Sequence, residues 1–159
     1  NLTVTNSQLM QFNNVVPGTG GLVKAGISNL VLNAANTFTG TAEVAAGTLA
    51  LGSAGSLATP LVQVDAAGTF DVTAITGGYT VPNGETIAVS GAVKGNLTLG
   101  SGSTLTGNGT VNGSVTVNSG GLVSPGTLAA SATNTPFLVP MLKTPRSNIF
   151  CLQKPPAER

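Results

Sequence analysis

The sequence predicts an all-β chain wound into a parallel β-helix solenoid of about 18 residues per coil. Three observations predict it. The first is a period of six, with apolar residues at Ile75, Val81, Ile87, Val93, Leu99, Leu105, Val111, Val117 and Val123. The second is a period of eighteen nested in the first. It is carried by Gly77, Gly95 and Gly113, by Gly84, Gly102 and Gly120, and by Tyr79, Leu97 and Val115 beside Thr80, Thr98 and Thr116. A coil of three short sides, each burying one apolar side chain, produces both periods together. The third is composition: the 159 residues are 41% hydrophobic but only 4% aromatic and 7% charged, where a globular domain carries about 25% charge. The polar remainder is Gly, Thr, Ser and Asn, the residues of turns and outward strand positions. Low charge with ample hydrophobicity is not the composition of a disordered chain. The length suits one domain with a real core.

Taken in order, residues 1–21 are weakly patterned: Leu2-Thr3-Val4 alternates, and Asn13-Asn14 and Pro17 to Gly21 mark turns. From Leu22 short alternating runs follow, at Leu30-Val31-Leu32, Ala42-Glu43-Val44, Thr48 to Leu51, Val62-Gln63-Val64 and Phe70-Asp71-Val72. Alternation bounded by Gly, Asn or Ser predicts half-buried strands. No stretch carries a helical period. The early coils are uneven, with Val44 and Val64 spaced by 20 but Val62 and Tyr79, like Val64 and Val81, by 17. Corner loops of variable length absorb such slips. In the regular part, Leu97 and Leu99 face inward and Thr98 outward. Gly100-Ser101-Gly102 turns a corner where glycine takes positive φ without steric penalty. Leu99 is expected to stack on Val81 and Val117, about 4.8 Å away along the axis. Six or so coils give a rod on the order of 30 Å long.

The solenoid is expected over residues 1–128. After Gly126 no glycine follows, and Pro136, Pro140, Pro145, Pro155 and Pro156 crowd the end of the chain. Proline cannot donate to a strand ladder, so 129–159 is not another coil. It reads either as a loosely docked, Pro-rich linker or as non-native sequence from a frame-shifted or truncated gene end. The chain opens on strand and turn residues without an initiator Met or a leader, so it is expected to be an excerpt of a longer protein.

The charge is split. Residues 1–135 set Lys24 and Lys94 against Glu43, Asp65, Asp71 and Glu85, a net −2; residues 136–159 set Lys143, Arg146, Lys154 and Arg159 against Glu158, a net +3. A slightly acidic body without a basic stripe argues against a nucleic-acid partner. Nothing reaches the roughly 18 apolar residues of a membrane-spanning helix. The lone Cys151 permits no intrachain disulfide and no thiolate cluster. No histidine is present, which removes Ser-His-Asp and Cys-His catalysis and imidazole metal sites.

Asp65 and Asp71 are the one candidate carboxylate pair, six apart and able to sit on adjacent sides of one coil; solvated turn residues are the simpler expectation. Glu43 and Glu85 read as isolated, and Lys24 and Lys94 as solvated. Gly107-Asn108-Gly109 and Gly18 to Gly21 echo nucleotide loops, yet no Gly-Lys-Ser/Thr follows. The calcium nonapeptide of some β-helices needs an Asp after its glycines, absent here. Asn96-Leu97-Thr98, Asn108-Gly109-Thr110 and Asn112-Gly113-Ser114 match the glycosylation triplet, as Asn/Thr-rich coils do by chance. No catalytic, cofactor-binding or metal-binding residue is expected, and no cofactor.

Residues 20–51 carry Leu30-x-Leu32, then Asn36-Thr37-Phe38-Thr39-Gly40, then Val44 and Gly47-Thr48-Leu49-x-Leu51. This resembles the autotransporter-associated β-strand repeat, also called the passenger-associated transport repeat. The coils ending at Gly120-Gly121-Leu122-Val123-Ser124-Pro125-Gly126 resemble those that follow such repeats, so the resemblance covers roughly residues 20–128. It implies a right-handed β-helix passenger region of a type V secreted protein at a bacterial cell surface or outer membrane. Left-handed hexapeptide helices share the eighteen-residue coil, but their fifth hexad residue is usually small, whereas Tyr79, Leu97 and Val115 stand there here. Parallel crossovers also favour the right hand.

The resemblance further implies partners in the rest of the same chain: a signal peptide upstream and a C-terminal barrel or other anchor downstream. A structural, non-catalytic stalk segment is the leading expectation. An adhesin that binds a glycan or another cell through Thr/Asn/Ser ladders is the alternative, and a β-helix polysaccharide lyase or hydrolase using Asp65 and Asp71 the third.

Overall fold

The computed structural model describes residues 1–126; the expected tail at 129–159, with Cys151, lies outside the described residues. Among the described residues all the regular structure is strand. The first coils hold β1 (Leu2–Val4) and β2 (Met10–Phe12), β3 (Leu22–Lys24) and β4 (Asn29–Leu32), and then β5 (Ala42–Leu51). The fourth holds β6 (Leu61–Asp71) and β7 (Tyr79–Val81). The fifth holds β8 (Thr86–Val89), β9 (Ala92–Lys94) and β10 (Leu97–Leu99), and the sixth β11 (Thr104–Gly107), β12 (Thr110–Asn112) and β13 (Val115–Val117). A seventh turn opens with β14 (Leu122–Pro125).

Every pairing is parallel and joins one coil to the next, which is the expected solenoid. On the first face Leu2, Leu22, Ala42 and Val62 fall in one row, at intervals of 20, followed by Ile87, Leu105 and Val123. On the second, Met10, Leu30, Leu49, Phe70, Val93 and Val111 form the row. The third face is a ladder only from the fourth coil on, where β7, β10 and β13 align Tyr79, Leu97 and Val115 at intervals of 18. These inward rows make one continuous core, with Leu22, Leu30, Val62, Phe70, Ile87, Val93 and Leu99 fully buried. Leu2 and Met10 stand in the same rows but remain partly exposed, because no described coil covers them.

The hexad run holds from Val81 to Val123, and Leu99 pairs with Val81 and Val117 while Thr98 shares an outward row with Thr80 and Thr116. Gly84, Gly102 and Gly120 all take positive φ, at 79°, 72° and 83°, so this corner is turned by left-handed glycines. Ile75 is a correction. It sits half-buried in the turn between β6 and β7, its N–H bonded to Val72 O at 3.2 Å, and Phe70 takes the place below Val93.

The fourth coil is the longest, with Val62 opposite Ile87, 25 residues on. For the same reason Val62 and Val64 pair with Ile87 and Val89, not with Tyr79 and Val81. Val-x-Val, Tyr-x-Val and Ile-x-Val present the same alternation, so spacing alone did not say which side of the coil each run occupies.

Candidate functional site

The outward strand positions build parallel rows of short polar side chains about 4.8 Å apart. On the third face the row is Thr80, Thr98, Thr116. The second face carries Thr48 and Thr69, then Ala92 and Thr110, with Asp71, Lys94 and Asn112 beside them. On the first face Glu43 neighbours Gln63. Such rows offer hydroxyl and amide groups to an extended partner, with little charge.

Asp65 and Asp71 both lie on β6 but are not brought together as a catalytic pair. Asp65 accepts a 2.9 Å hydrogen bond from Gln63 Nε2, and Asp71 Oδ1 accepts from the Thr73 N–H at 2.9 Å and its hydroxyl at 2.7 Å. Each carboxylate is occupied by a residue two positions away on its own chain. Lys94 is exposed, across the ladder from Asp71. Among the described residues no three His, Cys, Asp or Glu side chains converge to hold a metal, and no helix is long and apolar enough to cross a membrane.

The polar groups that matter most lie inside. Lys24 is not solvated: it is fully buried, in the inward row between Val4 and Val44. Its stem packs in the core, and Nζ donates to Gly26 O and, at 3.1 Å, to Ala46 O, carbonyls of two successive corners. Burial pulls its pKa below the ordinary lysine value. The signal was available, since Lys24 stands two residues after Leu22 and strand alternation places both inward.

Glu85 is likewise buried, at 1% exposure. Tyr79 Oη donates to its Oε1 at 3.2 Å, while Oε2 has no hydrogen-bond partner. The Tyr79 ring meets Phe70 edge-on, centroids 5.8 Å apart. Burial pushes the Glu85 carboxyl up to about 8, against a downward pull from the tyrosine hydroxyl. Burial first, and then the glutamate's charge and hydrogen bond, raise Tyr79 above the usual phenol value. Glu85 shares a shallow cleft of about 390 Å³ with Thr39, Thr59, Pro60 and Pro82. Ser103, eighteen residues on, is fully buried at the same corner.

In the early coils the third side is closed by single backbone bonds, such as Thr37 N–H to Val16 O at 3.1 Å and Thr39 N–H to Gly18 O at 3.0 Å, together with side chains. Asn36 Oδ1 accepts the Val16 N–H at 3.0 Å, and its Nδ2 donates to Ala34 O at 2.7 Å and Ser56 O at 3.2 Å. One buried amide thereby ties three successive coils. Two residues on, Phe38 fills the interior at 2% exposure. At Gly40 a Cβ would stand 2.4 Å from Gly21 N, so only glycine lets the two coils approach. Asn36-Thr37-Phe38-Thr39-Gly40 is therefore a coil-stacking unit: a clamp, a core filler and a close approach. Residues 22–51, which contain it, match the family model of the passenger-associated-transport-repeat. The match is confined to this stretch. No curated protein and no solved structure gives a significant match to the chain. In the matched stretch the Asn36 side chain reinforces scattered backbone bonds between coils, where β7, β10 and β13 later form a regular ladder.

Proposed function

We propose that the chain is a structural passenger segment of a secreted or outer-surface bacterial protein of the autotransporter type, a stalk that acts by its length and stiffness and not by catalysis. The observation that carries this reading is the transport repeat at residues 22–51, set in a solenoid whose coils are alike in kind and stack in register. In such an array each finished coil offers an edge that templates the next, so folding proceeds by nearest-neighbour addition outside the cell. The rest of the same longer chain, with its leader and its barrel or other anchor, is the first partner. The reading is tested on intact cells of the producing bacterium with an antibody against residues 1–126. Labelling without permeabilisation is expected, and labelling seen only after permeabilisation would overturn it.

A second reading rests on the Thr80, Thr98 and Thr116 row and the polar rows beside it. These make an adhesive face for a glycan or another cell surface, recognised by hydroxyl and amide hydrogen bonds spread over several coils. A glycan array separates the two: saturable binding weakened by Thr98→Val favours the adhesin, whereas a pure stalk retains no glycan.

A further inference from the structure

On its third side the solenoid is interrupted between the third and fourth coils. β7 is an edge strand whose ladder partner is β10 above it, and among the described residues no backbone hydrogen bond joins Gly52 to Thr59 with Thr73 to Glu85. The first and second faces continue through this level by the pairing of β5 with β6. The gap is therefore one-sided, and at its corner lie the buried Glu85 and the cleft it shares with Thr59, Pro60 and Pro82.

We propose that this interruption is a proton-operated joint: the Glu85 carboxyl is neutral while the third side is closed, and loss of its proton opens the coil stack at the adjoining cleft. The groups around the carboxyl leave it no other way to carry charge. Tyr79 reaches it from β7, Thr59 and Pro60 from the coil beneath, and Ser103 occupies the equivalent corner above. Tyr79 is the only titratable group among these, and it brings no positive charge. Among the other described ionisable residues, Lys24 lies on β3 with its amine at the opposite corner, and Glu43, Asp65, Asp71 and Lys94 belong to the outward rows of β5, β6 and β9.

An ionised Glu85 would be a buried charge with one hydroxyl donor and an unpartnered oxygen, a state that reaching water relieves. The sign follows from linkage. The carboxyl binds its proton more tightly closed than open, so closure is favoured at acid pH and opposed progressively as pH rises from the ordinary carboxyl range through about 8. With two faces still laddered, opening is a local hinge and leaves the rod intact.

The test is an NMR titration of the full chain from pH 4 to 10, following the Glu85 side-chain carboxyl and hydrogen-exchange protection corrected for intrinsic rate. The Thr86 N–H, bonded to Pro60 O at 2.9 Å, reports the joint, and the Asn118 N–H, bonded to Leu99 O at 3.0 Å, reports the regular coils. A carboxyl midpoint near 8, with Thr86 protection falling at least tenfold while Asn118 holds, is expected, and Glu85→Gln flattens the response. A carboxyl that titrates below pH 5, or Thr86 and Asn118 changing in step, overturns the joint. If Glu85→Gln fails to fold, Tyr79→Phe replaces it: loss of the donor should raise the Glu85 midpoint, and an unchanged midpoint counts against the proposal.

Discussion

The first three coils repeat every twenty residues and close their third side with scattered backbone bonds reinforced by the Asn36 amide and the Phe38 ring; the fifth and sixth repeat every eighteen and close it with regular backbone ladders. In the short coil the chain has just enough residues for three strands, and left-handed glycines at Gly84, Gly102 and Gly120 take the corner. The twenty-residue coils carry no regular strand on the third side, and single backbone bonds, such as Thr37 N–H to Val16 O and Thr39 N–H to Gly18 O, share it with the Asn36 amide. A buried unpaired backbone group costs about 1–3 kcal/mol, and that penalty explains why a side chain with both donor and acceptor occupies position 36. The transport repeat and the hexad region are two answers to one requirement, that every backbone group between coils be satisfied.

The strongest way to break this comparison is Leu99→Asp. Leu99 is fully buried between Val81 and Val117, and a carboxylate there has no partner. A loss of roughly 4–5 kcal/mol or more is expected, enough to unfold the short coils. In a solenoid held by nearest-neighbour contacts, the transport repeat should keep its hydrogen-exchange protection. If protection at Leu22 and Asn36 disappears together with that at Leu97, the two regions are one cooperative unit and the distinction between them has no thermodynamic content.

The next effect sharpens the comparison by setting two asparagines side by side. Asn36 makes three hydrogen bonds from the interior, whereas Asn96 Oδ1 accepts the Ser114 N–H at 2.9 Å from an exposed corner. Asn36→Ala strands the Val16 N–H and removes one of two bonds at each of Ala34 O and Ser56 O, and should cost about 1–3 kcal/mol. Asn96→Ala leaves groups that water can reach and should cost less than about 1 kcal/mol. Urea denaturation of both variants measures the difference. Equal losses would mean that the early coils do not depend on the side-chain clamp.

The hexad region was legible because its coils are equal in length, so an inward residue in one predicts an inward residue eighteen positions on. Leu99 and Thr98 fall where the period places them. Legibility failed where coil length changes. Ile75 continues the count of six, but the fourth coil holds extra residues at its corners, and Phe70 stands below Val93 in its place. The interior polar groups were missed for another reason. Charge argued for solvent at Lys24 and made Glu85 look isolated, yet both lie in the core, where each side chain reaches a partner. Asn36 was visible as part of a motif, but two of its three bonds reach coils twenty residues to either side, which a local reading does not bring together.

A smaller effect comes from Lys24→Met, which keeps the buried stem and removes the charge. At pH 7 the relief of desolvation and the loss of two hydrogen bonds nearly offset, so a change within about 1 kcal/mol is expected. Its pH dependence is the decisive reading. The folded lysine has a lowered pKa, so the wild-type chain gains stability as pH rises toward 10.5 and loses it as pH falls, while the Met variant does not follow. The advantage of Met should therefore be largest in acid and shrink in alkali, opposite in sign to the response expected of Glu85. Urea midpoints at pH 6, 8 and 10 check it. An advantage that grows with pH would mean that the carbonyls of Gly26 and Ala46 hold the ammonium more strongly than burial opposes it.

The smallest effect expected is that of Thr98→Ala, at about 0.5 kcal/mol or less. Thr98 faces outward between Thr80 and Thr116, so truncation removes cross-strand methyl and hydroxyl contacts and some β propensity but opens no cavity. Its value lies in its neighbour: Leu99 is one position away and faces the core. A strand read one residue out of register would exchange the two, because alternation sends every shifted side chain to the opposite face. Comparable losses from Thr98→Ala and a matched Leu99→Ala, for which about 2–5 kcal/mol is expected, would reject the inward assignment of the hexad residues and with it the contrast between laddered and clamped coils.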